Sequence, residues 1–146
     1  MSDDTHFRAL ERMYGHAPIN DFYRPTLTVG HGTAEVSIPV AEHLYHAAGA
    51  VHGSVYFKLL DDAAWFAANS LEPDYFVLTS SFTTYMTRPV TGKSLVAHGK
   101  VVQQTRSQFL AEAVLIDDQG NEAGRGNGLF VRGPGKLSDM PGYARQ

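Results

Sequence analysis

Two adjacent carboxylates, Asp61 and Asp62, stand in the run VHGSVYFKLLDDAAWF, residues 51–66, whose other members mostly favour burial. A carboxylate held in a cleft can act as general base or nucleophile, because partial burial raises its affinity for a proton. The same pair on a wetted strip would only solubilise a helix, and charged residues on helices usually face water. On a helical wheel the two acids lie about 140° and 120° from the centre of the apolar face, on opposite sides of its back. That face comprises Tyr56, Leu59, Leu60, Ala63 and Ala67. Periodicity alone does not choose between the acids.

The entry to this run carries a second chemical element. Gly49 and Gly53 bracket Ala50-Val51-His52. A glycine at a helix start admits close approach to the backbone, and the free N–H groups there attract negative charge. These are the requirements of an oxyanion site, although loop geometry or close packing would equally explain Gly53. His43, His46 and His52 raise the question of a metal. Their spacings match no zinc signature, and no H-E-x-x-H pattern is present, so no metal is expected. Ser54 lacks the G-x-S-x-G elbow of a serine hydrolase. Gly124-Arg125-Gly126-Asn127-Gly128 lies within a strand pattern and reads as a bend rather than a phosphate loop.

The surrounding pattern supplies the elements that must hold these groups. HFRALERMYG is amphipathic and reads as a short helix over residues 5–15. PTLTVGHGTAEVSIPV has the composition of a hairpin turning at Gly30-His31-Gly32. The central run reads as one helix from Gly53 to Ser70, stopped by Leu71-Glu72-Pro73-Asp74. Four strand-like stretches follow: YFVLTSSFTTYMTRPV, SLVAHGKVVQQT, SQFLAEAVLIDD and NEAGRGNGLFVR. The Gly- and Pro-rich residues 133–146 read as an irregular tail. One long apolar helix followed by a meander implies an α+β fold, with a curved antiparallel sheet wrapped around the helix.

Composition narrows the function classes. The chain has 146 residues, 43% of them hydrophobic and 18% charged, which suits one soluble domain. A net charge of -3 gives no reason to expect nucleic acid or an anionic membrane as partner. With no cysteine, disulfides, thiolate metal sites and a Cys nucleophile are excluded. No apolar stretch is long enough to span a bilayer and no secretory signal is visible, so a cytoplasmic location is expected.

The small-residue loop, His52-Gly53 and then Asp61 within Leu59-Leu60-Asp61-Asp62-Ala63 together resemble the hotdog-fold acyl-CoA thioesterases, and more narrowly the PaaI-like (phenylacetate-degradation) branch. The resemblance covers residues 24–132. It implies a hotdog fold and hydrolysis of an acyl-CoA thioester, with Asp61 as the catalytic acid and the Gly53 N–H polarising the carbonyl. His52 belongs to the catalytic motif, and His46 stands where the family carries an Asn. Ser54 replaces the family's second Gly. Thr79 falls where a hydroxyl holds the attacking water, with Ser80 and Ser81 close enough to compete. Arg88, Arg106 and Ser107 match positions that contact coenzyme A, and Tyr85 is counted with them. No cofactor is implied, because coenzyme A arrives as part of the substrate.

Distance constrains the mechanism. From Gly53 to Asp61 is about 12 Å along a helix axis, too far for one reacting carbonyl to touch both. If both act on one thioester, they come from antiparallel helices of two subunits. The expected assembly is therefore a homodimer with a composite site, and the family adds a tetramer. The acyl group expected is a small aromatic or medium-chain one. Tyr56, Phe57, Trp65, Phe66, Phe82 and Tyr85 are candidates to line its pocket. A non-catalytic acyl-CoA-binding hotdog protein, a sensor or scaffold, is the alternative. A lyase of the same fold would need a His paired with Glu or Asp in patterns not intact here.

Overall fold

The computed structural model describes residues 2–144. Helix α1 spans Ser2–His16, one residue longer at its end than the amphipathic pattern indicates and three longer at its start. Asp3 and Asp4 lie in its first turn, where a helix favours negative charge. Phe7, Leu10, Met13 and Tyr14 form its buried face. A one-turn helix α2, Asn20–Tyr23, follows. Strands β1, Thr26–Gly30, and β2, Thr33–Pro39, form the expected hairpin, with Gly32 at positive φ in the turn.

Helix α3 spans Gly53–Ser70, and every residue from Ala63 to Ser70 is buried. The sheet closes over it with β3, Tyr75–Met86, β4, Ser94–Gln104, β5, Gln108–Asp117, and β6, Glu122–Lys136. All pairings are antiparallel, in the order β1-β2-β4-β5-β6-β3. The α+β expectation holds, with one correction. The strands after α3 do not form a simple meander: β2 occupies the free side of β4, so β3 crosses to the far side and pairs with β6. Among the described residues, β3 is consequently an edge strand with one side unpaired.

Two further corrections concern glycine-rich segments. Residues 133–136, read from composition as irregular, continue β6 to Lys136, and a short 3-10 turn follows at Leu137–Asp139. The run Gly124–Gly128 stays within β6, and a Cβ at Gly126 or Gly128 would collide with the Phe82 ring. The alternate glycines therefore seat an aromatic ring from β3 instead of bending the strand.

Close packing fixes α3 against the sheet. A Cβ on Gly99 of β4 would fall on the carbonyl of Ala63, so helix backbone and strand meet there without an intervening side chain. Ala63, Ala64, Ala67 and Ala68 keep the helix surface low enough for this approach.

The exit from α3 determines where β3 begins. The buried Asn69 amide donates to the carbonyls of Glu72 and Tyr75, and its oxygen accepts from Val77 N–H at 2.9 Å. Trp65 Nε1 donates to the Val77 carbonyl. These bonds satisfy backbone groups that would otherwise be orphaned at a buried helix end. They also hang the first residues of β3 on the flank of α3.

Candidate active site

Because β3 is tied to α3 at Val77, the next residue on the same face of the strand meets the middle of the helix. Thr79 Oγ1 donates to Asp61 Oδ1 at 3.1 Å. The β3–β6 register shifts here: Thr79 opposes Phe130, but Ser81 opposes Leu129, leaving Ser80 as an extra residue on β3. Such bulges re-aim side chains next to sites. Of the three neighbouring hydroxyls, Thr79 is the one bonded to the carboxylate.

Asp61 and Thr79 line a cleft of about 380 Å³ whose other walls include Met13, Tyr14, Ile19, Trp65, Phe66 and Phe76. Burial, and secondarily the charge of Asp62, raise the Asp61 carboxyl to about 6, against the opposing effects of the Thr79 hydrogen bond and Lys58. Above that pH the group is an accessible base in apolar surroundings. Asp62 does not lie on a wetted strip: it is largely buried and accepts from Lys58 and Tyr14 at 2.6 Å each.

Gly53 opens α3 in a different cleft, together with His46, Ala50, Val51, Tyr56, Met86, Thr87, Arg88 and Pro89. His52 is the N-cap: its Nδ1 accepts from Ser54 N–H at 3.0 Å, and the Ser54 hydroxyl lies 2.9 Å from the same nitrogen. The serine is thus absorbed by the cap. His46 Nδ1 accepts from Ala48 N–H at 3.0 Å, so its proton sits on Nε2, which is left as a donor. His43 packs against the ring of Phe22 instead.

Within one chain the two clefts share no lining residue. The coenzyme A candidates divide in the same way. Arg88 lines the Gly53 cleft, 3.7 Å from Asp117. Arg106 and Ser107 occupy the β4–β5 turn at the opposite end of the sheet, level with Val77 to Thr79 through the β3–β6–β5 register. Their carbonyls accept from Arg132. Tyr85 is exposed on β3 outside both clefts. Among the aromatic candidates, Trp65 and Phe66 reach the Asp61 cleft and Tyr56 the Gly53 cleft, whereas Phe57 and Phe82 meet edge to face. Tyr14 and Lys58, which hold Asp62, were not singled out by sequence reasoning. No pattern connects a tyrosine on α1 with an acid 48 residues later.

The family model of the thioesterase superfamily matches residues 48–123, just over half of the chain, from the loop before Gly53 to the start of β6. The chain belongs to the thioesterase superfamily. Its fold is similar to that of the Escherichia coli PaaI protein from the phenylacetic acid degradation operon. The two are 20% identical over 93% of this chain and 99% of that one, with a TM-score of 0.84. A thioesterase family protein from Silicibacter pomeroyi is 22% identical over 86% and 96%, with a TM-score of 0.80. A mutant of the phenylacetic acid degradation protein PaaI from Thermus thermophilus is 19% identical over 80% and 99%, with a TM-score of 0.72. At these identities the likeness is one of fold, a PaaI-like hotdog. No curated protein matches the sequence. Among the described residues of this thioesterase-superfamily member, no helix is long and apolar enough to cross a membrane.

Proposed function

We propose that this protein hydrolyses acyl-CoA thioesters in a site assembled from two copies of the chain. The observation that carries this reading is the separation of two complementary half-sites on one helix. A base with a hydroxyl partner sits at mid-helix, and free donors sit at the N-terminus about 12 Å away. Neither half is sufficient. An antiparallel pair of α3 helices would bring Asp61 and Thr79 of one copy to Gly53 and His46 of the other. The unpaired edge of β3 and the exposed Phe57, Leu78, Tyr85 and Met86 provide the apolar surface such a pairing would cover.

In this reading the Gly53 N–H and His46 Nε2–H stabilise the oxyanion, with His52 fixing the helix start that presents the amide. Removing one such donor elsewhere costs about 2.7–4 kcal/mol. Asp61, with Thr79 orienting the water, takes a proton from that water as its oxygen bonds to the thioester carbon. The C–S bond then breaks, and the thiolate of coenzyme A recovers the proton. Alternatively Asp61 attacks directly, giving a mixed anhydride that water cleaves. No separate cofactor enters either route.

Arg88 from one copy, with Arg106 and Ser107 from the other, supplies cations and donors for the phosphates and pantetheine. The apolar, aromatic-walled cleft at Asp61 favours a small aromatic or medium-chain acyl group. A cytoplasmic location fits such a substrate.

A panel of acyl-CoAs with a thiol-detecting reagent tests the reading. Thiol release that Asp61→Ala abolishes and Asp62→Ala does not supports hydrolysis. Tight binding without release from any substrate supports the non-catalytic alternative. In single turnover in heavy-oxygen water, label found in Asp61 marks the anhydride route.

A further inference from the structure

Asp61 has a second carboxylate beside it that is held very differently. Asp62 Oδ2 accepts from Lys58 Nζ and from the Tyr14 hydroxyl, both at 2.6 Å. The Lys58 and Asp62 side chains are only 13% and 18% exposed. The Lys58 ammonium is boxed by aromatic rings, 5.1 Å from the centroid of Tyr14 and 5.3 Å from that of Tyr23. An exposed pair at this helical spacing contributes little. This one is enclosed between two rings at the wall of the cleft that contains Asp61. Tyr14 also lies outside residues 48–123, the part matched by the family model, so the cluster ties the family's helix to a segment beyond that match.

We propose that Asp62 is a positioning residue for the reaction: a fixed anion, clamped by Lys58 and by Tyr14 of α1, that keeps Asp61 basic enough to take a proton. The proposal rests on the thioesterase reading of the Asp61 site. The groups around Asp61 define its sign. Asp62, on the same helix, opposes a second negative charge beside it, while Lys58 favours one. From β3, Thr79 donates to the ionised form. From α1, the Tyr14 hydroxyl is spent on Asp62, and Asn20 is the polar residue that lines the cleft from α2. From α2 also, Tyr23 contributes its ring face to Lys58. Burial holds the Asp62 carboxyl above the usual carboxylate range, with Lys58 and the Tyr14 hydroxyl pulling against it. An ammonium and a phenol, both 2.6 Å from one Asp62 oxygen, bond its ionised form, so the clamp favours Asp62 acting on Asp61 as a charge rather than competing for its proton.

The test is a carbon-NMR titration of Asp61 in aspartate-labelled protein, for wild type, Asp62→Asn, Lys58→Met and Lys58→Arg, alongside kcat/KM against pH for the best acyl-CoA. Asp62→Asn is expected to lower the Asp61 midpoint by about one pH unit, the size of a typical environmental shift, with the acid limb of kcat/KM following. Lys58→Met is expected to raise the Asp62 midpoint in the same spectra, and Lys58→Arg to restore it. A merely structural role would reduce the rate without displacing the limb. A folded Asp62→Asn with an unmoved midpoint overturns the proposal. If that variant fails to fold, an unmoved or lowered Asp62 midpoint in Lys58→Met overturns it, and a raised one supports it. Midpoints that move as stated in a protein that cleaves no acyl-CoA uphold the charge device and overturn the thioesterase reading.

Discussion

Thr79 on β3 donates a hydrogen bond to Asp61 on α3, joining two residues 18 apart in sequence across the flank where strand and helix meet. The bond depends on three features: the buried Asn69 amide that anchors the start of β3, the Trp65 contact at Val77, and the extra residue at Ser80. It distinguishes Asp61, which faces a cleft with one neutral donor, from Asp62, whose oxygen is bound by an ammonium and a phenol.

Replacing Asp61 by Asn should remove general-base catalysis, a loss of about 10²–10⁴ in kcat. It should also stabilise the fold at pH 8. The carboxyl is raised from 3.8 to about 6, so the folded state binds this proton more tightly than the unfolded one. Stability from this group falls as pH rises through that window, and the cost is complete above about 6. Two units at about 1.4 kcal/mol each set an upper bound of about 3 kcal/mol. Urea denaturation at pH 8 and pH 4 measures it: the Asp61→Asn variant and wild type should differ at pH 8 and converge at pH 4.

The wild-type rate should carry the same signature. With Asp61 required as the free carboxylate, kcat/KM is expected to fall on the acid side with a midpoint near 6. A flat profile down to pH 5 would disconnect the base from the reaction.

Gly53→Pro offers a deletion of one N–H. Gly53 is the first residue of α3, where proline is tolerated. His52, at φ -65 and ψ 144, already has the conformation that precedes proline. The added ring meets the Met86 sulfur, the mobile end of a side chain. The expected result is a loss of about 10²–10³ in kcat, the cost of one oxyanion donor, with the melting temperature little changed.

Gly99→Ala should act on stability. Its Cβ would strike the Ala63 carbonyl, which belongs to a helix backbone and cannot rotate away. Overpacking of this kind costs about 1–3 kcal/mol, measurable as a lower urea midpoint at unchanged slope.

Fold class, the limits of α3 and the β1–β2 hairpin were legible in the sequence, because each rests on local periodicity and turn chemistry. The path of β3 was not. Whether a strand pairs with its successor or crosses to β6 depends on β2 claiming the side of β4, a contact between segments about 60 residues apart. The two acids were likewise indistinguishable on the wheel, since their difference comes from Thr79 on β3 and Tyr14 on α1. Composition misjudged residues 133–136 because glycine and proline there sit on β6 beyond its pairing with β5, opposite the first residues of β3.

Subunit complementation tests the composite site most directly. Asp61→Asn and Gly53→Pro are each expected to be inactive as homodimers. When the two are unfolded together and refolded, half of the dimers are mixed. In a mixed dimer of two-fold symmetry, one site receives both lesions and the other neither, so the mixture should recover about a quarter of wild-type acyl-CoA hydrolysis. A mixture that forms heterodimers yet stays as inactive as its parents would contradict a site shared between two chains.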